Sequence, residues 1–208
     1  MTQANYWKIS YSVSGITSTR TMATPPNKQL NTLLSLSETH LAGIVSVESY
    51  EYTSCYLWRD RPIYDEFGDK IRDLPGNTIY LYNQSSSPDH DLFHELGHVI
   101  ARKHQLVGHP ENGYQGSWEN NNQKLIAQVC QQTHWSSYLN LFSVQQEDFT
   151  MKAASEIWAE IFMLRFLHPD YPEAALIDKE MLNLQHDPAC VAITDLAKAI
   201  NTSGLTPG

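Results

Sequence analysis

The chain has 208 residues, 41% of them hydrophobic and five of them tryptophan, which excludes a disordered chain and suits one domain with a single core. A formal charge of −9 argues against nucleic acid or an anionic membrane surface as the main partner and favours a basic peptide or protein. Cys55, Cys130 and Cys190 are odd in number and lack C-x-x-C spacing, so buried thiols in a reducing compartment are expected. "MTQANYWKIS" has no apolar signal core, and no 18-residue apolar run follows. The expected location is the cytoplasm, or the exterior by a route that needs no such signal.

In chain order, "YWKISYSV" alternates Trp7, Ile9, Tyr11 and Val13 on one face and reads as a half-buried strand. "STRTMATPPN" reads as a polar connector. Leu30, Leu33, Leu34 and Leu41 recur at helical spacing, which predicts an amphipathic helix over 28–41. "GIVSVESYEY" is a second strand and "GNTIYLYN" a third, after the Pro75-Gly76 break. Beyond residue 88 the pattern turns helical, interrupted by a Gly- and Asn-rich loop over 108–123. Strands first and helices afterwards make an α+β fold. One domain over 1–208 is expected: a strand and connector over 1–27, a core over 28–190, and a flexible tail over 201–208.

"HDLFHELGHVIARKH", residues 90–104, carries the chemistry. Ser87 can cap this helix, Pro88 fits its first position, and Asp89 and Asp91 suit its positive end. Leu92, Leu96, Val99 and Ile100 form a buried stripe. His94 and His98, four residues apart, project from one face and can grip one metal ion. Glu95 stands a quarter turn away, beside the metal and placed to polarise a water, as in the H-E-x-x-H pattern of zinc peptidases.

A catalytic zinc takes a third protein ligand. His90 lies one turn earlier on the same face, and three ligands in line on a straight helix cannot surround one ion. It fits a surface histidine better, or a contact to substrate. His104 stands at the last position of H-E-x-x-H-x-x-G-x-x-H, the metzincin pattern. There a glycine breaks the helix, whereas this chain has Ala101, for which a positive φ costs roughly 1 kcal/mol. A helix continuing to Gly108 would point His104 away from His98. Met151 adds little to a metzincin reading. "SEIWAEIFMLRF", residues 155–166, is a second strong helix ending before Pro169, with Ile157, Trp158, Ile161, Phe162 and Phe166 able to face the core. Glu156 and Glu160 share its outer face. The bland alternative is two exposed glutamates; beside a zinc motif that lacks a ligand, Glu156 becomes the third ligand and Glu160 the carboxylate orienting a ligating histidine, with the reverse assignment open.

"HELGH" followed by "EIWAEIFMLRFLHPDYPE" resembles the catalytic domain of anthrax lethal factor and the related proline-proline endopeptidases, over roughly residues 77–190. The resemblance implies a small zincin-like gluzincin domain with zinc on His94, His98 and Glu156 and Glu95 as general base. In that family a tyrosine seven residues before the glutamate ligand faces the metal; here Phe149 takes its place. Tyr138 is therefore the first candidate to stabilise the oxyanion, followed by Tyr114 and His134.

The expected activity is hydrolysis of a peptide bond in a protein substrate, as a toxin-like effector. An intracellular regulatory H-E-x-x-H peptidase and a catalytically inactive zinc-bound interaction module are the alternatives, the last supported by Phe149. Substrate is expected to lie extended along "NTIYLYN" if that strand is an edge, with the loop from Gly108 to Asn122 as cleft wall or lid.

Overall fold

The computed structural model describes residues 7–13, 16–22, 28–64, 67–108, 115–130 and 146–205, with side chains in 28–64, 67–108, 115–128 and 153–205. Strands β1 (Trp7–Val13) and β2 (Ile16–Met22) form an antiparallel hairpin, Trp7 opposite Met22. The polar stretch from Ser18 to Met22, expected to be connector, is thus strand: its alternating threonines suit a pleated ribbon despite their polarity. Helix α1 (Lys28–His40) follows, with Leu30, Leu33 and Leu41 buried and Leu34 at the margin.

A three-stranded sheet is ordered β3 (Ser46–Tyr50), β7 (Thr78–Tyr82), β4 (Cys55–Leu57). β3 runs parallel to β7, and β4 runs antiparallel to it with Tyr56 opposite Ile79. "TIYLY" is buried along nearly its whole length because it is the central strand, covered on both faces. Of the two places left open for this strand, edge or interior, β7 takes the interior one, and β4 is the outer strand on that side. β5 (Arg61–Tyr64) and β6 (Lys70–Leu74) form a separate, largely exposed hairpin.

The helical half holds α2 (Pro88–Lys103), α3 (Ser117–Asn121), α4 (Gln123–Cys130) and α5 (Gln146–Leu167). A 3-10 turn (Pro172–Ile177), α6 (Asp178–Asn183) and α7 (Pro188–Thr202) complete it. The α+β expectation holds, with α3 and the start of α4 occupying part of the stretch expected to be loop. α7 buries Ile193, Leu196 and Ile200, so the core reaches past residue 190 and the last helix past 201.

α2 and α5 form the centre of the molecule. Ile157, Trp158, Ile161 and Phe162 are fully buried against Leu92, Leu96 and Ile100, each worth about 1.5–3 kcal/mol of transfer from water. An aromatic row of Trp118, Trp158, Phe162, Phe166 and Phe93 runs along this interface, successive centroids 4.8–6.2 Å apart. Among the described residues no helix is long and apolar enough to cross a membrane.

Candidate metal centre

The start of α2 follows the expected chemistry with one exception. Pro88 takes the first turn, but Ser87, at the cap position, makes no side-chain capping bond. The acidic residues there are tied to neighbours. Asp89 is buried and accepts from Gln29 at 3.1 Å. Asp91 accepts from the Ser54 hydroxyl, and Ser54 in turn accepts the Tyr82 N–H at 2.9 Å. Ser54 thereby joins β4, β7 and α2.

The other end of α2 bears on the metzincin alternative. Ala101 stays helical, and the left-handed residue is Gln105, with φ 51°. The Leu106 N–H reaches back to the Ala101 carbonyl at 2.8 Å, and Leu106 and Val107 turn inward. This six-to-one closure with buried apolar residues after it stops the helix before Gly108, the stop expected from sequence. His104, the residue after the last turn, has its Nε2 3.3 Å from Asp187, the N-cap of α7. It joins two helix ends and lies outside the metal group.

Gly97, inside the motif, sets how closely the two central helices approach. A Cβ there would stand 2.8 Å from the Ala159 Cα and 3.2 Å from the Phe162 Cβ. The Trp158 indole N–H donates to the Gly97 carbonyl at 2.9 Å and fixes the rotation of α5. Ala159 occupies the contact, so Glu156 and Glu160, on either side of it in sequence, are carried onto the histidines.

His94 Nε2 lies 3.1 Å from Glu156 Oε2, and His98 Nε2 lies 3.6 Å from Glu156 Oε1. The two imidazoles stand nearly perpendicular, centroids 5.0 Å apart. Donor atoms at 2.0–2.2 Å around a tetrahedral ion are about 3.4 Å from one another, so these separations fit an ion at the centre of the group. Among the described residues His94, His98 and Glu156 form a group able to hold a metal ion. The outer nitrogens are held as well: His94 Nδ1 faces Glu160 Oε2 at 3.2 Å, and His98 Nδ1 faces the Ser155 hydroxyl at 3.1 Å. An ionised Glu160 carboxylate can only accept, so it holds a proton on His94 Nδ1. The Ser155 hydroxyl, able to donate or accept, holds the orientation of the His98 ring, and both leave Nε2 toward the centre of the group. Ser155 was not singled out from sequence; its place just before Glu156 on the same helix is the signal that could have found it.

The charges match this geometry. Burial opposes the His94 imidazolium, yet hydrogen bonds to Glu156 and Glu160 hold its pKa up at about 10. Burial likewise pushes the Glu156 carboxyl up, but the hydrogen bonds from His94 and His98 outweigh it and leave the pKa well below the usual range. In the metal-free chain a proton thus occupies the centre that a cation would take. Glu95 is 7% exposed, and burial raises its pKa against the pull of the two histidines and the Tyr56 N–H.

These groups line a cavity of about 920 Å³. One wall is the residues of α2 and α5 just described; the other is the β4 segment from Tyr52 to Tyr56 with Trp58. Gly108 also lines the cavity, and its N–H and that of Gly116 both donate to the buried Glu119 carboxylate, at 2.8 and 3.4 Å. Glu119 thus ties Gly108 to Gly116 within the stretch expected to form a cleft wall or lid. Tyr114, His134 and Tyr138 lie outside the described residues, as do the side chains of Phe149 and Met151. His90 also lines the cavity, its Nε2 3.1 Å from that of His168.

Comparisons with protein-family models, with curated proteins and with solved structures gave no match.

Proposed function

We propose that the chain is a zinc-dependent endopeptidase with a zincin-like catalytic core of the gluzincin kind. The observation that carries this reading is the convergence of His94, His98 and Glu156 on one point, with Glu95 beside it and Glu160 behind His94. Two nitrogens and a carboxylate oxygen are a zinc donor set, and three ligands leave a fourth position for chemistry. Bound zinc would acidify its water and polarise the scissile carbonyl.

The protein supplies the rest. Glu95 receives the proton of the attacking water and passes it to the nitrogen of the leaving amine. Its raised pKa suits a group that must both take up and release a proton. Glu160 and Ser155 keep the two imidazoles turned toward the ion. A peptide substrate pairs along β4, the outer strand facing the motif helix, so that its backbone passes over Glu95.

The test is a peptide-library digestion by the purified zinc-loaded chain, with and without chelator. Cleavage at defined bonds, lost on chelation, restored by zinc and absent in Glu95→Gln, is expected. No hydrolysis by the zinc-loaded chain, or hydrolysis unchanged in Glu95→Gln, would contradict the reading.

A further inference from the structure

Four cavity-lining side chains of α2 recur every fourth residue: His90, His94, His98 and Arg102. At the helical rise each step is about 6 Å along the axis, so Arg102 stands one turn beyond the metal group. It is the one Lys or Arg among the described residues lining this cavity, in a chain of net charge −9. The carboxylates of the cavity are already engaged: Asp91 by Ser54, Glu95 by the Tyr56 N–H, Glu156 and Glu160 by the histidines.

The Arg102 guanidinium lies over the Trp58 ring, its Cζ 3.6 Å from the ring centroid. A cation held over a ring face by this contact keeps N–H groups that can grip a carboxylate in a fork. Arg102 forms no ion pair with a described carboxylate.

β4 and α2 run in the same direction along the cavity. Ser54 meets Asp91, the Tyr56 N–H meets Glu95, and Trp58 meets Arg102. A strand pairing antiparallel to β4, the more stable pairing, runs from Trp58 toward Ser54. The residues before the cleaved bond then lie at Arg102, and one helical turn spans about two extended residues.

We propose that Arg102, held by Trp58, forms a subsite for a carboxylate side chain, so that the substrate carries Asp or Glu within about three residues N-terminal to the cleaved bond. This rests on the endopeptidase reading for its direction, and it opposes the basic substrate that net charge alone favours.

The experiment is binding of short dye-labelled peptides to the zinc-loaded Glu95→Gln variant of the 208-residue chain. One Glu is walked through each position of an otherwise neutral sequence, with Gln as control. One N-terminal position should bind Glu roughly tenfold tighter than Gln, the scale of a charge-assisted contact, and the gap should narrow with salt. Arg102→Gln should remove the preference, and Arg102→Lys should keep part of it, because a point charge remains without the fork. Equal binding of Glu and Gln peptides at every position, or a preference surviving in Arg102→Gln, overturns the subsite. The peptidase reading fails separately, when wild-type protein leaves the tightest-binding peptide uncut.

Discussion

The α2–α5 helix pair and the β4 strand face each other across one cavity and are specified in different ways. On the helix side every chemical group sits at a fixed spacing within its own segment: His94, Glu95 and His98 on one helix, Ser155, Glu156 and Glu160 on the other. One close contact, Gly97 on Ala159, joins them. On the strand side three residues, Cys55 to Leu57, gain their position by pairing with β7, and Ser54, the Tyr56 N–H and Trp58 act through partners on α2. Changes on the helix side should therefore act on the metal, and changes on the strand side on what binds beside it.

The largest effects belong to the helix side. His94→Ala or His98→Ala should leave the purified chain nearly free of zinc, read by elemental analysis. Glu95→Gln should keep its zinc while turnover falls by roughly 10²–10⁴-fold, because the ligands stay and the proton carrier is lost. Next come the groups behind the imidazoles. Glu160→Ala and Ser155→Ala should each weaken zinc about 10- to 100-fold, in competition with a chromogenic chelator. An unchanged affinity in both would mean that the outer nitrogens are not being held.

Gly97→Ala tests the joint itself. The added methyl must push α5 away, at about 1–3 kcal/mol for overpacking, with a weaker metal site as the second consequence. Chemical denaturation and zinc titration of this variant measure the two separately. A stable Gly97→Ala with full zinc affinity would show that helix spacing does not set the centre.

This division explains what could be read in advance. Helical periodicity and the i, i+4 rule are local, so α2, α5, Glu156 and Glu160 were legible from residue spacing. The short strands β4, β5 and β6 were not, since segments of three to five residues with mixed polarity carry no period to detect. β7 was recognised as a strand, but its place in the sheet depends on which neighbours pair with it. The end of α2 was misplaced for a similar reason. Gln105 is not a residue that signals a left-handed turn, as Gly or Asn would be, and the burial of Leu106 and Val107 that accompanies the turn is not a local signal. Arg102 carried no signal until Trp58 was seen beneath it.

Acidity gives a smaller effect with a defined sign. In the metal-free chain, despite burial, hydrogen bonds to Glu156 and Glu160 hold the His94 pKa up at about 10 against an ordinary 6.5, so its contribution is complete below pH 6.5 and fades as pH rises toward 10. Glu156 is depressed below 4.5, so its contribution is complete above pH 4.5 and fades as pH falls. Chelated protein should therefore gain most from this pair between pH 4.5 and 6.5, seen as the difference in melting temperature from Glu156→Gln. Zinc must displace the His94 proton, so its added stabilisation should grow with pH. A difference that keeps rising to pH 9 without metal would contradict the pairing. The smallest effect is expected of His104→Ala: zinc affinity unchanged, and a loss of about 1 kcal/mol from its part-buried contact with Asp187.

The ligand set is tested most directly by the zinc X-ray absorption spectrum of the loaded protein, beside that of Glu156→Ala. The expected shell has two imidazole nitrogens and oxygen at about 2.0–2.2 Å, with no sulfur, and the Glu156→Ala sample should fail to hold zinc at equal concentration. Three imidazoles in the shell, a sulfur from Cys55, or an unchanged spectrum in Glu156→Ala would contradict a centre built from His94, His98 and Glu156.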